Sequence, residues 1–311
     1  MERRQLADKL MSYEFKNDES IPDGVRRIVR EEVASATEKV KVKKVQDRDL
    51  AIHEVRKGVK RVRGLLKLMR PALGEGYEKE DQAWRELGQR LSALRDAGVM
   101  MGAFGELRAS CPPRIYNPIR RRLLENKREK SLDAAAILAK VAAGLKRAEA
   151  RLKSWPLHKE GFPAIGPGMK RTYRRGFRAL RKARTEPSPE NLHELRRRSK
   201  EHLYQLRLLE GLWDGKLHRH EKRVRHLEEM LGARQNLTVL KTKILEQPKG
   251  LGKPADVEKF LKVLDEMETD LTASALKTGA RVYGNPAGRW EKRVKRLWND
   301  WVKPVDAPKT S

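Results

Sequence analysis

The sequence contains almost no cysteine and no long apolar segment. The single cysteine, Cys111, lies beside Pro112 and Pro113 and has no second thiol with which to form an intrachain disulfide. The first eight residues, MERRQLAD, lack the apolar core of a signal peptide. No apolar run approaches the ~20 residues that a membrane-spanning helix needs. These absences favour a reducing compartment, and we expect a cytoplasmic protein that does not insert into membranes.

Aromatic residues are also scarce, at 5% of the chain, and segments with the apolar–polar alternation of a β-strand are rare. The core must therefore come mainly from Leu, Val and Ala, and the many Lys, Arg and Glu residues favour helix. We predict an all-α protein. The predicted helices cover about 25–44, 47–70, 77–108, 131–155, 193–209, 216–245, 255–277 and 287–302, with others starting at Asn117 and Met169.

Glycine and proline are concentrated in one segment, GFPAIGPG at residues 161–168. This density of Gly and Pro disfavours helix and strand alike, so we predict a linker there. The linker divides the chain into two expected helical bundles, 20–160 and 169–303, which follow an N-terminal extension at 1–19.

Positive charge dominates the sequence, with 71 Lys and Arg residues against 43 Asp and Glu and a formal net charge of +28. A chain this basic attracts polyanions over long distances. The candidate partners are inorganic polyphosphate, nucleic acid and anionic membrane. A basic surface on a ribosome-associated protein would explain the same charge.

An internal repeat gives this charge a pattern. The segment IHEVRK at 52–57 recurs as LHELRR at 192–197, an offset of 140 residues. At the same offset Lys60 corresponds to Lys200, Leu87 to Leu227 and Leu91 to Leu231, and upstream Arg30 corresponds to Lys170. A constant offset through a second helix is rare by chance, so we expect the same helical bundle twice.

Each repeat places a row of cations on one face of a helix when residues advance by 100°. The opposite face of the first helix is apolar, with Val55, Val59, Val62, Leu65 and Leu66. We call the two rows the first and second stripes. The first stripe is His53, Arg56, Lys57, Lys60, Arg63 and Lys67, and the second is His193, Arg196, Arg197, Lys200 and Arg207.

The ordinary explanation of a charged helix face is solvation. Solvated faces usually mix signs at i,i+4 spacing, whereas these stripes are almost entirely positive, and like charges along one face destabilise a helix. Arg offers a planar fork to phosphate oxygens and Lys a mobile point charge. Successive turns rise ~5.4 Å, so each stripe suits a linear polymer of repeated charge, and His53 and His193 are candidate donors to its phosphate oxygens.

The doubled motif resembles the CHAD family, the conserved-histidine α-helical domain. The resemblance rests on His53-x-x-Arg56 with Lys60 in the first repeat and on His193-x-x-Arg196 with Lys200 in the second. The basic segment KRTYRRG at 170–176 and the segment LRD at 94–96 are also similar to that family. The similarity extends over about residues 20–303, which would be one domain.

The resemblance implies two pseudo-symmetric antiparallel helical bundles with a basic central groove. It also implies binding of inorganic polyphosphate and association with polyphosphate granules. The second repeat departs from the family pattern at Glu201, His202 and Leu203, so we expect the first repeat to contribute more to binding. Further cations on the preceding helices are expected to extend the site: Arg26, Arg30, Lys170, Arg174 and Arg178.

Three other functions and the oligomeric state remain open on the sequence alone. RNA or DNA would bind or compete through phosphates, although few aromatics offer stacking surfaces. Basic helices would also bind a membrane surface. An enzyme is disfavoured because His53 and His193 lack a carboxylate at i+3 or i+4, and the segment HRH at 218–220 is too closely spaced for a metal site. We therefore predict no catalytic residue, metal or cofactor.

Overall fold

The computed structural model describes residues 13–41, 45–106, 113, 116–118, 120–121, 134–212, 215–246 and 253–302. Cys111, most of the predicted N-terminal extension and most of the helix expected to start at Asn117 lie outside them. Within these residues the protein is all-α, with ten helices and no strand, as predicted. The helices are α1 (Ile21–Val40), α2 (Val45–Leu73), α3 (Gly76–Glu106), α4 (Ala134–Leu152), α5 (Gly161–Thr185), α6 (Pro189–Leu208), a 3-10 turn (Glu210–Leu212), α7 (Gly215–Glu246), α8 (Pro254–Val282) and α9 (Ala287–Trp301).

Serine residues cap the starts of two helices. Ser20 caps α1, and its hydroxyl accepts a hydrogen bond from the Asp23 amide. Ser188 caps α6 in the same way, accepting from the Asn191 amide. Helix α2 continues through Pro71, where a stop was expected, and ends before Gly74, which has a φ of +54°.

The predicted linker at 161–168 is wrong, because these residues are the first two turns of α5. Pro163 lies in the first turn, where backbone N–H groups have no helical partner, so its missing donor costs little. Gly168 is buried against α2, and a Cβ there would lie 1.9 Å from the carbonyl oxygen of Leu68. The glycine therefore serves a close approach of two helix backbones rather than a flexible connection.

This contact makes Gly168 the glycine whose replacement we expect to be most damaging to the fold. Gly168→Ala should lower the free energy of unfolding by about 3 kcal/mol, because backbone atoms cannot move aside as a side chain can. Gly288→Ala is the matched control, since nothing lies within 4 Å of its Cβ position in the first turn of α9. Urea unfolding of both variants measures the difference, and equal stabilities would show that α5 does not need this approach.

One hydrophobic core contains residues of both repeats. Val59 and Leu65 of α2 belong to the same buried cluster as Leu195 and Leu206 of α6, and α2 packs directly on both α5 and α6. A smaller cluster joins α7 and α8 around Leu240 and Phe260. The two motif helices are thus held side by side by a shared core. No helix among the described segments combines the length and apolar character needed to cross a membrane.

Candidate functional site

Burial divides the motif helices as the stripes predict. Val55, Val59, Val62, Leu65 and Leu66 of α2 are buried. All six residues of the first stripe retain solvent exposure, and His53 is the most exposed of them. In α6, Leu195 and Leu206 are buried on the core side. The two charged faces are consequently available to a ligand.

A cavity of about 600 Å³ is lined by residues of α2, α3, α5 and α6, and we call it the central cavity. It brings together six predicted site residues, four from the first stripe and two from the second: Arg56, Lys60, Arg63, Lys67, Arg197 and Lys200. The two repeats thus contribute to one concave surface.

The central cavity is strongly cationic. Ten lysine or arginine side chains and three carboxylates line it. Sequence reasoning missed four of these cations, which lie outside the predicted faces or on helices without the motif: Arg70, Arg85, Arg175 and Arg198. The carboxylates are Glu78, Asp81 and Glu201.

Two cations of the first stripe form ion pairs inside the cavity. Arg63 donates two hydrogen bonds to Asp81 of α3, at 2.9 and 3.0 Å. Lys67 donates to Glu201 of α6 at 2.6 Å, which joins the two repeats. Burial opposes ionisation of both carboxyls, but these cations outweigh it and hold the pKa of Asp81 and of Glu201 below their ordinary values. The stripes are therefore less uniformly positive in the fold than in the sequence.

Arg56 is held by the backbone and a side chain of α3. Its guanidinium donates to the Gly88 carbonyl oxygen at 2.8 Å and to Ser92 Oγ at 2.5 Å. These bonds orient the planar head of the side chain along the cavity wall. Arg56 thus has a structural role in addition to the charge it supplies.

The second stripe gathers around Glu228 of α7. Lys200 donates to Glu228 at 2.8 Å, and the Arg196 guanidinium lies 3.4 Å from the same carboxyl oxygen. Burial would raise the pKa of Glu228, but Lys200 and Arg196 outweigh it and keep the pKa below its ordinary value. Arg197, whose side chain is 55% exposed, pairs with Glu194 on its own helix. Of the second stripe, only Arg197 and Lys200 line the central cavity.

The remaining predicted site residues lie outside the residues that line this cavity. His53 and Lys57 lie beside Glu54, and His193 Nδ1 is 3.3 Å from Gln235 Oε1. Three others form ion pairs with carboxylates: Arg26 with Asp23, Lys170 with Glu291 and Arg207 with Glu221. Arg30 and Arg174 are exposed. Arg178 lies in a separate shallow pocket with Arg181 and Lys182.

A pair of buried histidines lies in the second repeat. His202 Nε2 and His220 Nε2 are 3.0 Å apart. Trp290 packs against both of these rings, and Tyr173 packs against that of His202. Burial, and then His220, lowers the pKa of His202 well below its ordinary value. Burial, followed by Arg293 and Arg223, lowers the pKa of His220 to about 3. Both rings are therefore neutral at pH 7.

This pair predicts a loss of stability in mild acid. Below pH ~6.5 the unfolded chain binds protons at these histidines while the folded chain does not, so the free energy of unfolding falls as the pH falls. Between pH 7 and pH 5 the loss should be about 2 kcal/mol for each histidine. His220→Gln should reduce this loss by about half in urea unfolding, whereas the exposed His226→Gln should leave it unchanged. An undiminished loss in His220→Gln would contradict this assignment.

No cluster of three or more His, Cys, Asp or Glu side chains suited to a metal ion occurs in the described part of the chain. The chemistry of the central cavity is accordingly that of cationic donors. Guanidinium and ammonium groups on four helices face a common space, which is suited to binding several negatively charged oxygens at once.

The helices and the central cavity together define an all-α protein with a cationic cavity lined by both of its repeats. The chain belongs to the CHAD domain family, because the model of that family matches residues 27–245. The resemblance drawn from the doubled motif is thus confirmed. The chain is similar to the crystal structure of the CHAD domain from the plant Ricinus communis, at 18% identity and a TM-score of 0.61, over 86% of this chain and 94% of that one. At this identity the likeness shows the fold alone. A search of curated proteins found no match.

Proposed function

We propose that the protein binds inorganic polyphosphate in the central cavity and associates with polyphosphate granules through it. The observation that carries this proposal is the meeting of both stripes in one space, where ten cations face three carboxylates. Such an excess of like charge destabilises the protein unless an anion compensates it.

The arrangement of the cations favours a linear polymer. Lys60, Arg63 and Lys67 follow one another along α2 at about one turn each, a rise of ~5.4 Å per turn. Arg197 and Lys200 line the same space from α6. A chain of phosphates presents charge at regular intervals to both helices, whereas a small metabolite would contact only part of the row.

The lining disfavours nucleic acid as the preferred ligand. Tyr77 and Tyr204 are the aromatic residues among those that line the cavity, and both are buried in the protein. Base stacking on exposed aromatic side chains is therefore not available from this lining. RNA and DNA would bind through phosphates alone and compete by charge.

The two repeats are proposed to be pseudo-symmetric halves of one domain, 20–160 and 169–303, each supplying one wall of the binding site. Lys60 and Lys200, which occupy matched positions of the two repeats, line the same cavity and support this arrangement. The turns at 161–168 join the halves through a packed helix.

Lysine footprinting by acetylation and mass spectrometry tests the site. Long-chain polyphosphate should protect Lys60 and Lys200 several-fold, because they line the cavity. Lys259 and Lys262, which are exposed on α8, are the matched controls and should react equally with and without the polymer. Equal protection of the four lysines would mean that polyphosphate coats the surface without a defined site, and protection of the α8 lysines alone would place the ligand elsewhere.

A further inference from the structure

A second concave surface is lined by residues of α5, α7, α8 and α9, and we call it the arginine pocket. It has a volume of about 280 Å³. Four arginines from three helices meet there: Arg219 and Arg223 of α7, Arg281 of α8 and Arg293 of α9. None of the residues that line the central cavity lines this pocket.

The charge of the arginine pocket is uncompensated within the described residues. No aspartate or glutamate is among the residues that line it, and none of the four arginines makes an ion pair in that part of the chain. The central cavity differs, since Asp81 and Glu201 neutralise some of its cations. Four guanidinium groups around one small space repel one another, and a bound anion would relieve this repulsion.

The pocket is also lined by two buried aromatic side chains that carry polar N–H groups or ring nitrogens. His220 and Trp290 line it, with their rings 4.5 Å apart, and both residues are more than nine-tenths buried. The buried indole Nε1–H of Trp290 has no hydrogen-bond partner among the described atoms. An unmatched buried donor is costly in a folded protein, and since Trp290 lines the pocket, its indole will report on an anion bound there. The low pKa of His220, caused by burial and then by Arg293 and Arg223, agrees with a positive potential inside the pocket.

The first turn of α9 adjoins the same space. Asn285 and Trp290 both line the pocket, and α9 begins between them at Ala287. The residue before this helix is Pro286, and no side chain caps the helix by a hydrogen bond. The positive end of the helix dipole thus adds to the field of the arginines.

We infer that the arginine pocket binds a compact phosphate-bearing anion of two or three phosphates, separately from the central cavity. The size of the pocket, just below the roughly 300–1,000 Å³ of ordinary ligand sites, suits such an anion. Arg supplies the bidentate geometry that phosphate oxygens prefer. This inference does not depend on what the central cavity binds.

Calorimetric titration with tripolyphosphate tests the site in a full-length chain whose central cavity is weakened by Lys60→Ala, Arg197→Ala and Lys200→Ala. Binding at a single site should persist in this background. Adding Arg223→Gln and Arg293→Gln should weaken the binding at least tenfold. Lys222→Gln is the matched control, because Lys222 is exposed on α7 and does not line the pocket, and it should have no effect.

A local signal separates a site at this pocket from nonspecific charge. The indole N–H resonance of Trp290, one of six tryptophans, should shift on titration with tripolyphosphate and should not shift after Arg223→Gln and Arg293→Gln. A parallel titration with adenosine triphosphate compares the affinity for a nucleotide with that for free tripolyphosphate. The ligand that binds more tightly identifies the kind of anion that the pocket prefers. An unshifted Trp290 signal, equal binding of sulfate, or full affinity in the double arginine variant would overturn the inference.

Discussion

Replacing Lys60, Arg197 and Lys200 together by alanine is expected to weaken the binding of long-chain polyphosphate by about 100-fold at moderate salt. Each side chain lines the central cavity, and each charge-assisted contact with phosphate contributes about 1 kcal/mol or more. The dependence of log K on log salt should also fall in magnitude by about 1 for each cation removed, because fewer counterions are released on binding.

Arg197 and Lys200 are chosen because their loss should leave the fold intact, and Lys60 is chosen because it corresponds to Lys200 in the first repeat. Arg197 is exposed and pairs only locally with Glu194. Without Lys200, Glu228 keeps Arg196 as a partner. Arg56, by contrast, is bonded to Gly88 and Ser92, so Arg56→Ala would combine loss of charge with loss of structure.

A matched variant removes the same charge elsewhere. Lys259→Ala, Lys262→Ala and Lys295→Ala replace three exposed lysines on α8 and α9 that do not line the central cavity. Affinity should fall less than about threefold in this control, through the weaker long-range attraction. Equal losses in the two triple variants would show that net charge, and not the cavity, determines binding.

Glu201→Gln is expected to be the most destabilising single change in the binding site, at about 3 kcal/mol. Its carboxylate accepts hydrogen bonds from Lys67 at 2.6 Å and from Arg198 at 2.8 and 2.9 Å. Neutralising Glu201 removes the carboxylate partner of Lys67. It also leaves Arg198, which is 5% exposed, with Glu194 as its remaining partner, so two closely spaced cations lose much of their compensation. Lys67→Met should cost less, about 1–2 kcal/mol, since the Arg198–Glu201 pair then remains.

Urea unfolding of the two single variants and the double variant measures the coupling. The double variant should be more stable than the sum of the single losses predicts, because Lys67→Met removes one of the cations that Glu201→Gln exposes. The exposed pair Arg70–Glu78 is the control, and Glu78→Gln there should cost less than about 1 kcal/mol. A loss for Glu201→Gln as small as that of Glu78→Gln would show that this ion pair does not join the repeats.

The structure gives Glu201, which departs from the family pattern, a second role. From the sequence, a carboxylate at this position is expected to weaken the second repeat's contribution to binding. In the fold the same carboxylate lies between a cation of each repeat. It neutralises part of the cavity and at the same time links α2 to α6, and only the packing of these helices reveals the second effect.

Local sequence signals were sufficient to predict most of the helices and the buried and charged faces of the two motif helices. The period of the buried leucines and valines acts within a few turns, and the repeat can be read directly from the sequence, so most of the helices and the stripes could be predicted. The helix at 161–168 could not, because Gly168 is required by Leu68, which is a hundred residues earlier in the chain.

The carboxylates that pair with the stripe cations could not be predicted from the sequence either. Asp81 and Glu228 belong to α3 and α7, and only the packing of these helices brings them to Arg63 and Lys200. The arginine pocket has the same origin, since its arginines come from three separate helices. A row of cations on one helix can be recognised in the sequence. An ion pair or a cluster of cations formed by residues of different helices cannot.

Competition binding at moderate salt tests the central claim most directly. Labelled long-chain polyphosphate, bound to the full chain, is displaced by unlabelled polyphosphate, RNA, duplex DNA or tripolyphosphate at equal concentrations of negative charge. We predict that long-chain polyphosphate displaces the label best, because it alone fits phosphates to both stripes without bases or ribose. Displacement by RNA or DNA at a lower concentration of charge would contradict the account.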